Sequence, residues 1–177
     1  MRSFYFPHNS IYLLCTLIHM KTIFEPVKTV VTGIVYPNLP HKKTDIAIDI
    51  ATKVDRNSLV GLRPYDLVKV SGLDLGFDKP VTREQINSRA KDLGLALCPQ
   101  GLGPLLRNLY PDQPLYEWLL MAMEPIPDSD GAPHIFSLGH IDDLKGIGTR
   151  LWLSAVSGLD DYRWAPSYIW VFVVPRG

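Results

Sequence analysis

The chain has 177 residues, which suits one domain with a substantial core. Hydrophobic residues make up 46% of it and charged residues 20%, and the mean hydropathy of +0.05 argues against a chain that is disordered throughout. The formal net charge is zero, which argues against a nucleic-acid partner, since proteins that bind phosphates usually carry a basic excess.

Proline and cysteine set two further expectations. The 15 prolines lie mostly between apolar segments, which predicts many short elements joined by stiff turns. Cys15 and Cys98 are far apart in the sequence, so neither a disulfide framework nor a zinc site made of cysteines is expected. We expect a soluble protein of a reducing cytoplasm that carries no cofactor.

The N-terminal residues are expected to be an extension of the domain. The apolar run from Ile11 to Ile18 is too short to span a membrane, and no signal-peptide cleavage site follows it. Met20 is a plausible alternative start. We predict that residues 1–19 are loosely ordered, the alternative being a buried first strand, and that residues 20–177 form a single domain.

The next segments alternate between strand and helix. A run rich in β-branched residues from Val27 to Tyr36 predicts a strand. Apolar residues at four-residue spacing predict a short helix from Thr44 to Val54. A second strand is expected to begin at Tyr65 and to end at Gly72 or Gly76.

The clearest helix is predicted over residues 83–93. Thr82 and Gln85 form a capping box at its start, and Gly94 is the expected left-handed stop. Ile86 and Ala90 belong to its buried stripe. The rest of its surface is expected to be solvated, namely Arg83, Glu84, Asn87, Arg89, Lys91 and Asp92.

A second helix is predicted from Leu102 to Leu109, with Gly103 as its cap and Pro104 at its first position. The two helices together resemble a helix-turn-helix in outline. However, the second helix offers only Arg107 and Asn108 to read bases. Nucleic-acid binding is therefore the third of our functional hypotheses.

The C-terminal half predicts a sheet. Its four apolar segments are Glu117 to Glu124, His134 to Leu138, Arg150 to Ala155 and Tyr168 to Val174. Prolines and the Asp128 to Gly131 turn suit a hairpin after the first segment. The fold class is thus α+β: a single domain with a mainly antiparallel sheet, whose C-terminal four-stranded meander packs on two or three short helices.

Several short motifs resemble a set of small bacterial proteins of unknown function. They are LGF with an Ile-x-x-Arg-Ala helix, then GLxLCP, LR, YxDQPxxEW and MEPIxDSDG, between residues 65 and 175. The resemblance implies a shared domain and transfers no chemistry. Residues 98–104 depart from the pattern, which carries an acidic residue near Gln100.

A polar set punctuates the apolar sequence around the second helix: Arg107, Asp112, Gln113, Glu117 and Glu124. In the structural interpretation, Arg107 pairs with Asp112 or Glu117 and holds the helix to the sheet. In the catalytic one, Glu117 and Glu124 line a cleft and meet His140 or Asp142. Their odd separation places the two glutamates on opposite sides of a strand, which weakens the pair.

The sequence gives little support for a metal site or for a reactive cysteine. Asp128 and Asp130 open a calcium-type loop that lacks the acid at its twelfth position, so a hairpin turn is predicted. His140, Asp142 and Asp143 are expected to form a solvated loop. Cys98 has no histidine base in any motif, which favours a buried cysteine.

The loop Tyr162, Arg163 and Trp164 is a candidate for an exposed recognition patch, because aromatic residues and arginine dominate contact energies. Our first hypothesis is therefore a binding or interaction module for a protein or small-molecule partner. It uses this loop together with Arg107, Asp112 and Gln113. The second is a small hydrolase-type enzyme.

Overall fold

The computed structural model describes residues 25–31, 42–54, 64–142 and 148–176. Within them the chain forms three helices, α1 (Asp45–Thr52), α2 (Arg83–Asp92) and α3 (Leu102–Leu109). Its strands are β1 (Glu25–Val31), β2 (Lys42–Lys43), β3 (Pro64–Ser71), β4 (Val81–Thr82), β5 (Trp118–Met121), β6 (Ile126–Pro127), β7 (Pro133–Asp142), β8 (Thr149–Ser157), β9 (Arg163–Trp164) and β10 (Ile169–Val174). The predicted extension at residues 1–19 and the end of the first predicted strand lie outside the described residues.

Most strands join one mixed, mainly antiparallel sheet, in the order β1-β3-β10-β5-β7-β8-β2, with β6 paired to β7. The α+β class is confirmed. Strands β5, β7 and β8 form the predicted antiparallel meander. The fourth strand was placed wrongly: β10 does not follow β8 but lies between β5 and β3, parallel to β5 and antiparallel to β3.

Helices α2 and α3 pack on opposite faces of this sheet. Gly103 of α3 lies against Phe136, which strand register places on the same face as Leu119 and Ile169. Phe172, which points the other way along β10, lines a groove beside α2. Because the sheet separates them, the two helices do not form a helix-turn-helix.

The predicted helix starts are right for α2 and wrong for α3. Thr82 caps α2 with a complete capping box through Gln85, and Gly94 has φ +82°. For α3 the cap is Gly101, not Gly103. Gly103 lies inside the helix, and a Cβ there would be 2.8 Å from the Cβ of Phe136. Glycine at this position permits close packing of helix and sheet.

The core is continuous through the sheet. Strand β10 is buried on both faces, as its unbroken apolar sequence predicts.

The predicted turn between β6 and β7 is present, with Gly131 at φ +87° and Asp128 Oδ1 accepting the N–H groups of Asp130 and Ala132. None of the described helices is long and apolar enough to cross a membrane.

Candidate functional site

A groove of about 790 Å³ runs beside α2. Its floor is apolar and comes from the segment after the helix, Leu95 to Leu97, and from Phe172 of β10. Its rim is polar and solvent-exposed, with Glu84, Ser88 and Lys91 on α2 and Glu124 and Asp160 opposite. The volume falls in the range of small-molecule sites, which combine an apolar lining with a few polar groups.

One charged residue of the groove is buried. Arg83 is 8% exposed, although it was predicted to lie on the solvated face of α2. The prediction is wrong because this end of the helix is not free: β9 pairs with β4 directly before it, and Asp160 of the loop after β8 contacts Arg83. Among the described residues its guanidinium has one hydrogen-bond partner, Asp160 Oδ1, at 2.9 Å from Nη2. The Asp160 side chain is itself 89% exposed.

Two polar atoms of the groove have no partner within the part of the chain that the structure describes. They are Nε of Arg83 and Oδ1 of Asn87, both of which are shielded from solvent. Buried polar groups are normally hydrogen-bonded. The two residues lie four positions apart on α2 and both line the groove, but these two atoms are themselves covered.

The opposite face carries a different polar cluster. Lys69 of β3 forms an ion pair of 2.8 Å with Glu117, and the two side chains are 9% and 8% exposed. The predicted pairing of Arg107 with a carboxylate is not what its hydrogen bonds show. Arg107 donates to Gln113 Oε1 at 2.5 Å and to the carbonyl oxygen of Tyr110.

This cluster holds the loop between α3 and β5 to the sheet. Gln113 donates to the carbonyl oxygens of Glu117 and Leu138. Burial lowers the pKa of Arg107 to about 10, so it stays charged at neutral pH. Burial, followed by the negative charge of Glu117, raises the pKa of Tyr110 to about 12. Arg107 and Gln113 are 0% and 2% exposed, so a partner cannot touch them from the surface.

The residues of the catalytic hypothesis converge only in part: Glu117, directly before β5, and His140 of β7 are neighbours, with the His140 backbone N–H donating to the Glu117 carbonyl oxygen at 3.1 Å, but their side chains have other partners. Glu117 is buried beside Lys69, whereas Glu124 is exposed in the groove. His140 donates through Nδ1 to the carbonyl oxygen of Gln113 at 2.5 Å, and Asp142 accepts the hydroxyl of Tyr116. No hydrogen bond among the described residues joins the side chains of these four residues.

The aromatic loop is only partly a surface feature. Trp164 is 3% exposed, so the expectation that it is exposed is wrong. It packs between Tyr162, Tyr168 and Trp170, with ring centroids 4.7 to 5.3 Å apart. Tyr162 is 45% exposed, and Arg163 is also at the surface. Trp164 therefore packs under the loop as part of the core, while Tyr162 and Arg163 face solvent.

Asp112 also lies at the surface, in the turn that precedes Gln113. Cys98 is buried, as predicted: its thiol donates to the carbonyl oxygen of Val171, and burial raises its pKa. The described residues hold no cluster of His, Cys, Asp or Glu suited to a metal ion. Asp143, one of the residues considered for a metal, lies outside them.

The sequence reasoning missed Arg83, Asp160 and Lys69. Asp160 is 77 residues from Arg83, and Lys69 is 48 residues from Glu117, so neither pair can be found from spacing. One signal was available: Lys69 interrupts the apolar run of β3, and a charge inside a buried strand requires a partner. A comparison with family models, with curated proteins and with solved structures found no match to this chain.

Proposed function

We propose that this protein is a binding module whose ligand site is the groove beside α2, and that the ligand is a small molecule or the end of a peptide. The observation that carries the proposal is the combination of an apolar floor with a buried, incompletely paired arginine in a cavity of about 790 Å³. Natural ligand sites have this composition and size.

The other two hypotheses receive less support. A hydrolase would bring an acid and a base within hydrogen-bond reach of a substrate, and Glu117 is instead neutralised by Lys69 at 2.8 Å. A helix-turn-helix requires both helices on one side of the domain, whereas Phe136 and Phe172 place α3 and α2 on opposite faces.

A protein partner is the second candidate, and the aromatic loop favours it. Leu159, Tyr162 and Tyr168 are 49%, 45% and 40% exposed, and large aromatic side chains at a surface commonly anchor protein contacts. Leu159 and Tyr162 are also close in sequence to Asp160 on the groove rim. We further propose a reducing, cytoplasmic location, in keeping with the buried thiol of Cys98.

The test is a fragment screen followed by two-dimensional NMR of the full chain. Fragments are expected to shift the amide signals of Ser88, Leu95 and Leu97, because these residues line the groove. The variant Ser88→Trp places an indole in the groove and should abolish those shifts. Ser88 is exposed, so the substitution should leave the fold intact.

The matched control is Asp92→Trp, which adds the same side chain to an exposed position at the end of α2, away from the groove lining. It should bind fragments as the wild type does. If no fragment binds the wild type, or if both variants lose binding equally, the groove is not a ligand site and the proposed function is wrong.

A further inference from the structure

Arg83 is a buried charge that has no buried counter-charge among the described residues. The side chain is 8% exposed, while its one hydrogen-bond partner among the described residues, Asp160, is 89% exposed. Buried charges are normally paired and fully hydrogen-bonded, because an unpaired one is costly. An ion pair to an exposed aspartate meets this requirement poorly, since an exposed carboxylate stays hydrated.

We propose that the groove takes a ligand with a carboxylate group, which binds Arg83, and an apolar body, which covers Leu95, Leu97 and Phe172. The inference rests on the proposed function and names its ligand class. Asp160 occupies the place of the ligand carboxylate in the free protein and is displaced when the ligand binds.

The guanidinium explains why a carboxylate is preferred. Arginine presents its N–H donors in a planar fork that matches the two oxygens of a carboxylate. Asp160 engages this fork through one oxygen and one nitrogen, Nη2, and Nε is shielded from solvent. A ligand carboxylate can place both of its oxygens on the Nη side of the fork, and it can leave its own hydration shell together with the apolar body.

The rim charges do not overturn this preference. Glu84 and Glu124 would repel an anion, but both are exposed, and exposed charges are screened by water and salt. Lys91 lies on the same rim and offsets one of them. Arg83 is also the first residue of α2, and the positive end of a helix dipole favours an anion there.

Two sources offer this chemistry: a free aliphatic carboxylic acid and the C-terminus of a peptide that ends in apolar residues. The probes are therefore octanoate against octanamide, and acetyl-Val-Leu with a free against an amidated C-terminus. Each pair keeps the apolar body and removes only the charge. Binding is measured by titration of the groove amide signals in the wild-type chain.

We expect octanoate or the free-acid peptide to bind about tenfold more tightly than its amide, because charge-assisted hydrogen bonds are the stronger kind. The acid that binds more tightly than its amide, octanoate or the free-acid peptide, identifies the natural source of the carboxylate. If the amides bind as tightly as the acids, or if neutral fragments bind while neither acid does, the carboxylate inference is wrong although the proposed function stands.

Asp160→Ala is the sharper variant, because removing the competitor should raise the affinity for the acid by about threefold. Asp161→Ala is its matched control: it removes the same charge from the next, also exposed, residue. It should change the affinity by less than about 1.5-fold, since screened charges act weakly. Equal effects of the two variants would overturn the role of Asp160.

Arg83→Gln should abolish the preference for acid over amide while the amide still binds. If this variant does not fold, the comparison of Asp160→Ala with Asp161→Ala decides the proposal.

Discussion

The two faces of the sheet handle buried charge differently. On the α3 face, Lys69 and Glu117 lie 2.8 Å apart and both are nearly inaccessible to solvent, and Arg107 is enclosed by Gln113 and Tyr110. On the α2 face, the buried Arg83 faces an open groove and is paired with an exposed aspartate. Both faces leave polar atoms without a partner in the described part of the chain, Arg107 Nε and Glu117 Oε2 on the first and Arg83 Nε on the second. The difference is access: Arg107 is 0% exposed, whereas Arg83 lines a groove with room for a ligand.

This difference separates a structural role from a binding role. Buried charges that have buried partners hold strands and helices in place, and a substitution that removes one of them lowers the free energy of unfolding. A buried charge that is matched only by an exposed group contributes little to stability and keeps its capacity for another anion. Substitutions on the two faces should therefore affect different measurements.

The largest effect is expected for Lys69→Met. It leaves the Glu117 carboxylate buried without its cation, which should lower the free energy of unfolding by about 3–5 kcal/mol. Urea denaturation measures this loss. The double variant Lys69→Met with Glu117→Leu should recover most of it, because two apolar side chains leave no unpaired charge. A single variant as stable as the wild type would mean that the α3 face does not depend on this pair.

A smaller loss is expected for Gly139→Ala. Gly139 lies on the same face of the sheet as the groove, at a position that is not beside α2. A Cβ there would be 2.2 Å from Cζ3 of Trp118. Overpacking of this kind costs about 1–3 kcal/mol. In the background Trp118→Leu the same substitution should cost little, since the ring is gone. Equal costs in both backgrounds would show that the contact with Trp118 is not the cause.

An exposed contact should stabilise the protein at neutral pH and lose this effect in acid. Asp49 on α1 accepts the backbone N–H of Ser129 at 2.6 Å and its hydroxyl at 2.9 Å, and these hydrogen bonds lower the pKa of Asp49. A lowered pKa in the folded state stabilises the protein above the ordinary carboxyl value of 3.8, and this stabilisation is lost as the pH falls through the folded value.

Melting temperatures measured between pH 2 and 7 test this expectation. Asp49→Asn should melt lower than the wild type at neutral pH and approach it in strong acid. Asp45→Asn removes a carboxylate from the same helix without touching Ser129, and it should not reproduce this convergence. If Asp49→Asn differs from the wild type equally at every pH, the carboxylate is not the stabilising group.

The smallest effect on stability is expected for Asp160→Ala. Its carboxylate is 89% exposed, and Arg83 lines an open groove where water can take the place of the carboxylate. The free energy of unfolding should therefore change by no more than about 0.5 kcal/mol in urea denaturation. A large loss would make Arg83 a structural residue like Lys69, and the contrast between the two faces would disappear.

Local features were predictable where local chemistry decides them. Thr82 and Gln85 set the start of α2, because a capping box needs only residues three positions apart. The turn at Asp128 to Gly131 and the buried character of β10 were predictable for the same reason. The position of β10 was not, since an apolar strand that is buried on both faces fits several neighbours equally well.

The sequence by itself thus determined the class of the fold, most of its strands and helices, and the burial of Cys98. The tertiary structure alone decided that α2 and α3 lie on opposite faces, that Trp164 is buried, and which charges are paired. The physical reason is distance along the chain: the ion pairs Lys69–Glu117 and Arg83–Asp160 join residues 48 and 77 positions apart. Only the packing of the sheet brings them together.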